Sequence, residues 1–321
     1  MAPINVSITT PITLLEYAKT MDESSPTRTF VENMVQESDL MAAIPFLPAQ
    51  NGKREFLDIS RLPNVGFRGI NEAGNEDTGN FNLREEDTFF IDEYIKVDRA
   101  VVDRLGMQHR YRQEKLKTIA LAQNFSQSLI KSDTSVNARQ PTGMQARCTK
   151  LNTNLVHNSS ASGGAALSLQ NLDILYWMVN KPTHWIFPRG LMPFVDAAAR
   201  SNSLVNQTFS TEKNDFGHII TKYKNLPILY GYDPDDTPDL LPFSEVGAGG
   251  GSAVTSSIYC ASLRDGGFYA IEQTPLSVED EGIMKGTPFY STHIKWDWGV
   301  VKEHPRSVAR ITSITAATIV A

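Results

Sequence analysis

Residues 247–252, GAGGGS, are the first place in this chain to look for chemistry. A phosphate-cradling loop needs a Gly-Lys-Ser/Thr step opening a helix, so that backbone N–H groups and a lysine meet the phosphates. No lysine follows here, and the next element, Ser257 to Ala261, reads as a strand, so the run reads as a flexible surface loop. Asp233, Asp235, Asp236 and Asp239 raise a calcium reading. An EF-hand counted from Asp233 would need Gly and Glu where Pro238 and Ser244 stand, and the interleaved prolines favour a turn. The six histidines are scattered, with no pair three or four residues apart, and neither Cys148 nor Cys260 lies in a C-x-x-C pair, so zinc is not expected. No G-x-S-x-G elbow occurs. The adjacent acids Glu85-Glu86 and Asp280-Glu281 read as solvated turns rather than as a glycosidase pair. Trp296 and Trp298 share one face of a strand, where core or interface packing is favoured over stacking on a ligand. The residues thus point away from catalysis, and no cofactor or metal is expected.

The elements around these patterns must therefore explain the chain. Its 321 residues, 41% hydrophobic and 21% charged, are ample for a buried core and argue against global disorder. A net charge of -6 argues against tight sequence-independent binding of nucleic acid, though not against merely enclosing it. Two cysteines make a disulfide framework unexpected, and a reducing cytoplasm is the default compartment. Met1 to Thr10 has neither a basic n-region nor a long apolar run, so no signal peptide is expected, and no apolar stretch is long enough for a membrane span.

Residues 1–10 read as an extended arm. Thr10-Pro11 and Ser25-Pro26 each look like an N-cap followed by proline at N1, predicting a short helix and then one running to about Ser38. Leu40 to Pro48, broken by two prolines, reads as irregular chain. Next comes a long ribbon: an outgoing strand through Glu55, Leu57 and Ile59, a tip at Asn71 to Asn82, and a return strand bearing Phe89, Ile91, Ile95 and Val97 on one face. Met107 to Lys131 lacks proline and glycine and predicts one long helix with two covered apolar seams. Met107, Tyr111, Leu121, Phe125 and Leu129 form one seam, and Leu116, Ile119 and Ile130 the other. Residues 142–280 mix helices and strands, and Ser307 to Ile314 reads as the partner of the alternating strand Thr292 to Val301.

Charge is uneven along this path. Residues 53–99 carry seven cations and eleven carboxylates, and residues 104–131 carry six cations against Glu114 alone. An isolated two-stranded ribbon is at best marginally stable, so it must lie on something. The contrast proposes that acidic ribbon and basic helix meet between copies of the chain. The candidate contact residues are Arg61, Arg68, Glu72, Arg84, Glu85 and Glu86 on the ribbon, with Arg110, Arg112, Lys115 and Lys117 on the helix.

The ordered set of arm, charged hairpin, long helix, inserted mixed domain and closing strands resembles the major capsid proteins of tailed bacteriophages with the Hong Kong 97 fold. The runs LPNVGFRGINE at 62–72, SSIYCASL at 256–263, YSTHIKWDWGVV at 290–301 and PRSVARI at 305–311 are similar in wording to that family. The resemblance implies an α+β fold with an N-terminal arm (1–29), an extended hairpin loop (53–98), and an axial domain (142–280). It also implies a discontinuous peripheral domain (30–52, 99–141 and 281–321) with a spine helix at about 104–133. It implies a structural, non-enzymatic protein that self-assembles as pentamers and hexamers into an icosahedral shell around double-stranded DNA, in a virion built in the host cytoplasm. The implied partners are a portal protein, a separate scaffolding protein and, on the outside, a decoration protein. No lysine lies between Lys53 and Lys96, so the covalent loop crosslink of some relatives is not expected here. The alternatives are an encapsulin-like compartment of the same fold and an acidic soluble hydrolase.

Overall fold

The computed structural model describes residues 11–22, 25–151, 154–200, 209–213, 219–232 and 239–320. The arm at 1–10, the N-cap expected at Thr10, and Asp233, Asp235 and Asp236 lie outside these residues. The first helix, Leu14–Lys19, is opened by Thr13 through a capping box. The Thr13 hydroxyl accepts from the Glu16 N–H at 3.4 Å, and the Glu16 carboxylate accepts from the Thr13 N–H at 3.1 Å. The second helix, Pro26–Glu37, starts at the expected proline. Leu40 to Pro48 is not irregular: it folds as a helix, Asp39–Ala43, and a strand, Phe46–Pro48. The prolines fall at the helix exit and at an edge strand, where no ladder hydrogen bond is lost.

That edge strand begins a four-stranded sheet of order Phe46–Pro48, Phe268–Ile283, Phe289–Lys302, Phe89–Asp98. Its packed face carries Trp296 and Trp298, stacked 5.3 Å apart and both buried, as core residues rather than a ligand platform. Phe125 of the long helix, Gln108–Lys131, sits 4.6 Å from Trp298 and 5.4 Å from Trp296. Burying aromatic groups of this size contributes a large share of the hydrophobic stabilisation. The helix is covered along its C-terminal half by this core, where Leu121, Phe125, Leu129 and Ile130 are buried. Met107, Tyr111 and Leu116 are exposed, so the two seams are not covered throughout.

A second, eight-stranded sheet has the order Leu155–His157, Val308–Ile314, Ala253–Ala261, His184–Ile186, Leu226–Leu229, Ile219–Tyr223, Phe209–Lys213, with Glu245–Val246 paired to Ala253–Ala261. Helix Leu169–Met178 and helix Met192–Arg200 enclose its core of Leu172, Leu175, Trp185, Phe187, Val195, Ile258 and Ile311. One expected pairing is corrected here. Val308–Ile314 pairs with Ala253–Ala261, not with the strand at 292–301. Phe289–Lys302 instead lies between Phe268–Ile283 and Phe89–Asp98. Alternation identifies which residues are buried but not the partner strand, because both sheets offer an apolar face.

The GAGGGS loop is tightly held rather than flexible. A Cβ at Gly249 would stand 2.2 Å from the Ser160 carbonyl oxygen, and the Gly163 N–H donates to the Gly250 carbonyl at 2.9 Å. Asp39 ties the two sheets' surroundings together: its carboxylate accepts from the backbone N–H groups of Tyr230 at 2.6 Å and Gly231 at 2.7 Å. Burial raises its pKa to about 6 despite those bonds.

Candidate assembly interface

The ribbon is built from Lys53–Arg61 and Asn80–Asp87, an antiparallel pair that forms its own two-stranded sheet. The return strand is therefore not Phe89–Asp98, which belongs to the four-stranded sheet. At the ribbon's base everything is fixed. Phe56 is buried with Leu47, Ala49, Tyr269, Ile271 and Val301. Arg147 grips both oxygens of Glu86, at 2.5 and 2.9 Å, and also donates to the carbonyls of Thr142 and Val300. A planar guanidinium and a carboxylate meeting through two parallel bonds fix orientation as well as distance. Close by, a Cβ on Gly299 would stand 2.4 Å from the Asp87 carbonyl oxygen, so only glycine lets the ribbon leave the sheet there.

Beyond the base the ribbon exposes an apolar face. Leu57 stands opposite Leu83 and Ile59 opposite Phe81, so all four lie on one side of the pleat, and each is more than half exposed. The tip continues the stripe with Leu62, Val65, Phe67 and Ile70, of which Phe67 is wholly exposed. A patch of large side chains on a ribbon too thin to have a core marks a binding surface.

The charges behave differently. Arg61 pairs with Asp77. Arg68 donates to the Glu72 carbonyl at 2.9 Å, while the Glu72 carboxylate accepts from the Gly69 N–H at 2.8 Å. Arg84 meets Asp58 at 2.9 Å and Glu85 meets Lys53 at 3.0 Å. On the helix, Arg110 is buried. It reaches Glu114 at 3.1 Å, Asp280 at 2.6 Å and Thr292 at 2.8 Å, with the Tyr290 ring 5.5 Å away. Burial alone would lower the Arg110 pKa, and its two carboxylate partners together raise it. Lys117 meets Glu93 of the same chain at 2.7 Å. Among the ten candidate residues, Arg112 and Lys115 are exposed and form no ion pair with the described residues. The apolar stripe was missed from the sequence, although the alternation of Phe81 and Leu83 beside Leu57 and Ile59 carries its signal.

Among the described residues no group of three or more His, Cys, Asp and Glu could hold a metal, and both cysteines are buried and free. Burial pushes the Cys148 thiol up to about 11, the direction opposite to that of a nucleophile.

Comparison with known proteins gives the architecture its context. Residues 22–225 match the family model described as Major capsid protein GP7. A search of curated proteins returned no match. Among solved structures, the fold is similar to the holo-SrpI encapsulin complex of Synechococcus elongatus PCC 7942, with a TM-score of 0.61, 14% identity, and coverage of 96% of this chain and 97% of that one. It is similar to a chain of Mycobacterium phage Adephagia, with a TM-score of 0.57, 10% identity, and coverage of 97% and 98%. It is also similar to the capsid of a native GTA particle, with a TM-score of 0.53, 12% identity, and coverage of 86% and 90%. At these identities the structural likenesses establish the Hong Kong 97 fold, and the family model establishes a structural rather than enzymatic role. The chain belongs to the GP7 major capsid protein family and is a component of the virion capsid.

Proposed function

We propose that this major capsid protein assembles as pentamers and hexamers into an icosahedral shell that encloses double-stranded DNA, built in the host cytoplasm. The observation that carries the reading is the exposed apolar face of the ribbon, a surface that a single chain leaves in water. In the assembly we infer, residues 53–98 form the extended loop: 53–87 project over a neighbouring copy and 89–98 anchor them in the sheet. Residues 142–280 supply the axial domain, and 30–52, 99–141 and 281–321 the peripheral one. Docking is led by Leu57, Ile59, Phe81 and Leu83. Most of the candidate charges have partners within the chain, and exposed pairs contribute only ~0–1 kcal/mol each. Arg112 and Lys115 are the candidates left to guide register between copies. Closure multiplies many modest contacts into a stable particle. The proposed partners are a portal protein, a separate scaffolding protein and an outer decoration protein. The net charge of -6 suits a wall that encloses DNA without gripping it.

A second reading, a protein compartment that encloses cargo, is favoured by the near-full-length likeness to an encapsulin. Sedimentation and negative-stain microscopy of the expressed chain test assembly, and the contents of particles purified from the native source separate the readings. Shells with DNA support the capsid, shells with an enzyme support the compartment, and a stable monomer contradicts both.

A further inference from the structure

Glu272 is the least expected residue of the four-stranded sheet. It is 7% exposed, and its Oε2 atom has no hydrogen-bond partner. It stands where the pairing with Phe289–Lys302 slips, at the shift between Glu272 and Thr274, and its cross-strand neighbour is Trp298. On the other side it pairs with Pro48, and its carbonyl accepts from the Ala49 N–H at 2.8 Å. The N-terminal segment crosses this region. Ile12 exchanges backbone hydrogen bonds with Phe46 at 2.9 and 3.3 Å, and Leu14 and Ala18 are buried in the same core as Trp296 and Trp298.

The groups that face Glu272 are few. From helix Leu14–Lys19 comes Tyr17, whose pKa is raised by burial and then by Glu272. Glu16 and Lys19 of that helix are exposed. Strand Phe46–Pro48 brings no titratable side chain. Trp296 and Trp298 line the neighbouring strand, with Asp297 on the opposite face of the pleat. From the helical layer, Phe125 faces the indoles, helix Pro26–Glu37 carries Glu37 together with Arg28 and Glu32, which pair at 2.9 Å, and helix Asp39–Ala43 carries Asp39, whose carboxylate is turned to the Tyr230 and Gly231 N–H groups. Among the described residues no cation forms an ion pair with the carboxyl. Burial raises its pKa to about 7, and the Trp296 indole N–H, which lies outside hydrogen-bond geometry, offsets this only in part.

We propose that Glu272 is a proton-operated clasp for the N-terminal segment: with the carboxyl protonated, residues 11–20 are held on the sheet, and on ionisation they loosen so that water reaches the carboxylate. The direction follows from linkage. A carboxyl whose closed-state pKa lies above its ordinary value, about 4.3, holds its proton longer when closed. The closed state is therefore fully favoured below about pH 4.3, loses ground as pH rises to about 7, and loses no more above that. Acid shuts the clasp, and neutral pH leaves the segment poised to lift.

Hydrogen exchange on the full chain tests this through the protection factors of the amides in helix Leu14–Lys19, corrected for intrinsic exchange. The expected result is a protection factor falling by up to about tenfold per pH unit, about 40-fold from pH 5 to pH 7, then a plateau. Glu272→Gln, which cannot ionise, should flatten that slope. If this variant fails to fold, Asp39→Asn, which leaves Glu272 able to ionise, should keep the slope, and its loss in that variant overturns the proposal. A flat profile between pH 5 and pH 7, or an unchanged slope in a folded Glu272→Gln, overturns the proposal.

Discussion

The base and the outer part of the ribbon are made of the same two strands, yet they solve opposite problems. At the base, Phe56 is buried and Glu86 is held by both terminal nitrogens of Arg147, so the chain satisfies itself. Beyond it, Leu57, Ile59, Phe81 and Leu83 face water, while the nearby charges are stapled locally, Arg84 to Asp58 and Arg61 to Asp77. The difference teaches that the chain fixes the direction in which its ribbon projects and leaves the ribbon's apolar face in water, the face that the proposed assembly would cover. Apolar contact is non-directional and scales with area, so in the proposed assembly it would supply strength, and Arg112 and Lys115 would supply register.

Substitutions at the two ends should separate these roles, and they can be ranked by their effect on the isolated chain. Phe56→Ala should destabilise it by about 3 kcal/mol, read as a lower midpoint of denaturant unfolding, because it empties a core site beneath the ribbon. Arg147→Met should cost about 2 kcal/mol by leaving Glu86 half-buried without its partner, and should reduce both monomer stability and particle yield. The double change Leu57→Ser with Leu83→Ser should leave the unfolding midpoint within ~0.5 kcal/mol, since both side chains are already in water, yet abolish sedimenting particles. A large loss of monomer stability there would break the comparison by showing that the outer ribbon packs on its own chain. Smallest of all, Arg112→Glu with Lys115→Glu should leave stability unchanged and slow assembly more at low salt than at high salt, followed by light scattering.

Much of this architecture could be read from the chain because the period of the apolar residues is local information. The long helix from Gln108 and the helix opening at Pro26 lie where the pattern puts them, and the strand expected at Ser257 to Ala261 lies within Ala253–Ala261. Pairing was less accessible. Only Thr88 separates Asn80–Asp87 from Phe89–Asp98, and the second strand has the stronger apolar face because it is the one buried in a sheet, so the pattern favours it as the ribbon's return. Charge was misleading for a similar reason. Arg110 looks like a surface cation on a basic helix, but Asp280 and Thr292, far away in sequence, arrive to bury and satisfy it. The interface was legible as a ribbon needing support. Its apolar face was not, because Phe81 and Leu83 sit among acids and asparagines that make the segment read as loop.

The central claim is that the apolar face of the ribbon rests on a neighbouring copy. A cryo-EM reconstruction of the assembled particle tests it most directly. The account predicts Leu57, Ile59, Phe81 and Leu83 buried against the next subunit, with their side chains excluded from solvent. A shell in which those four side chains face solvent, or fold back onto their own chain, would contradict it.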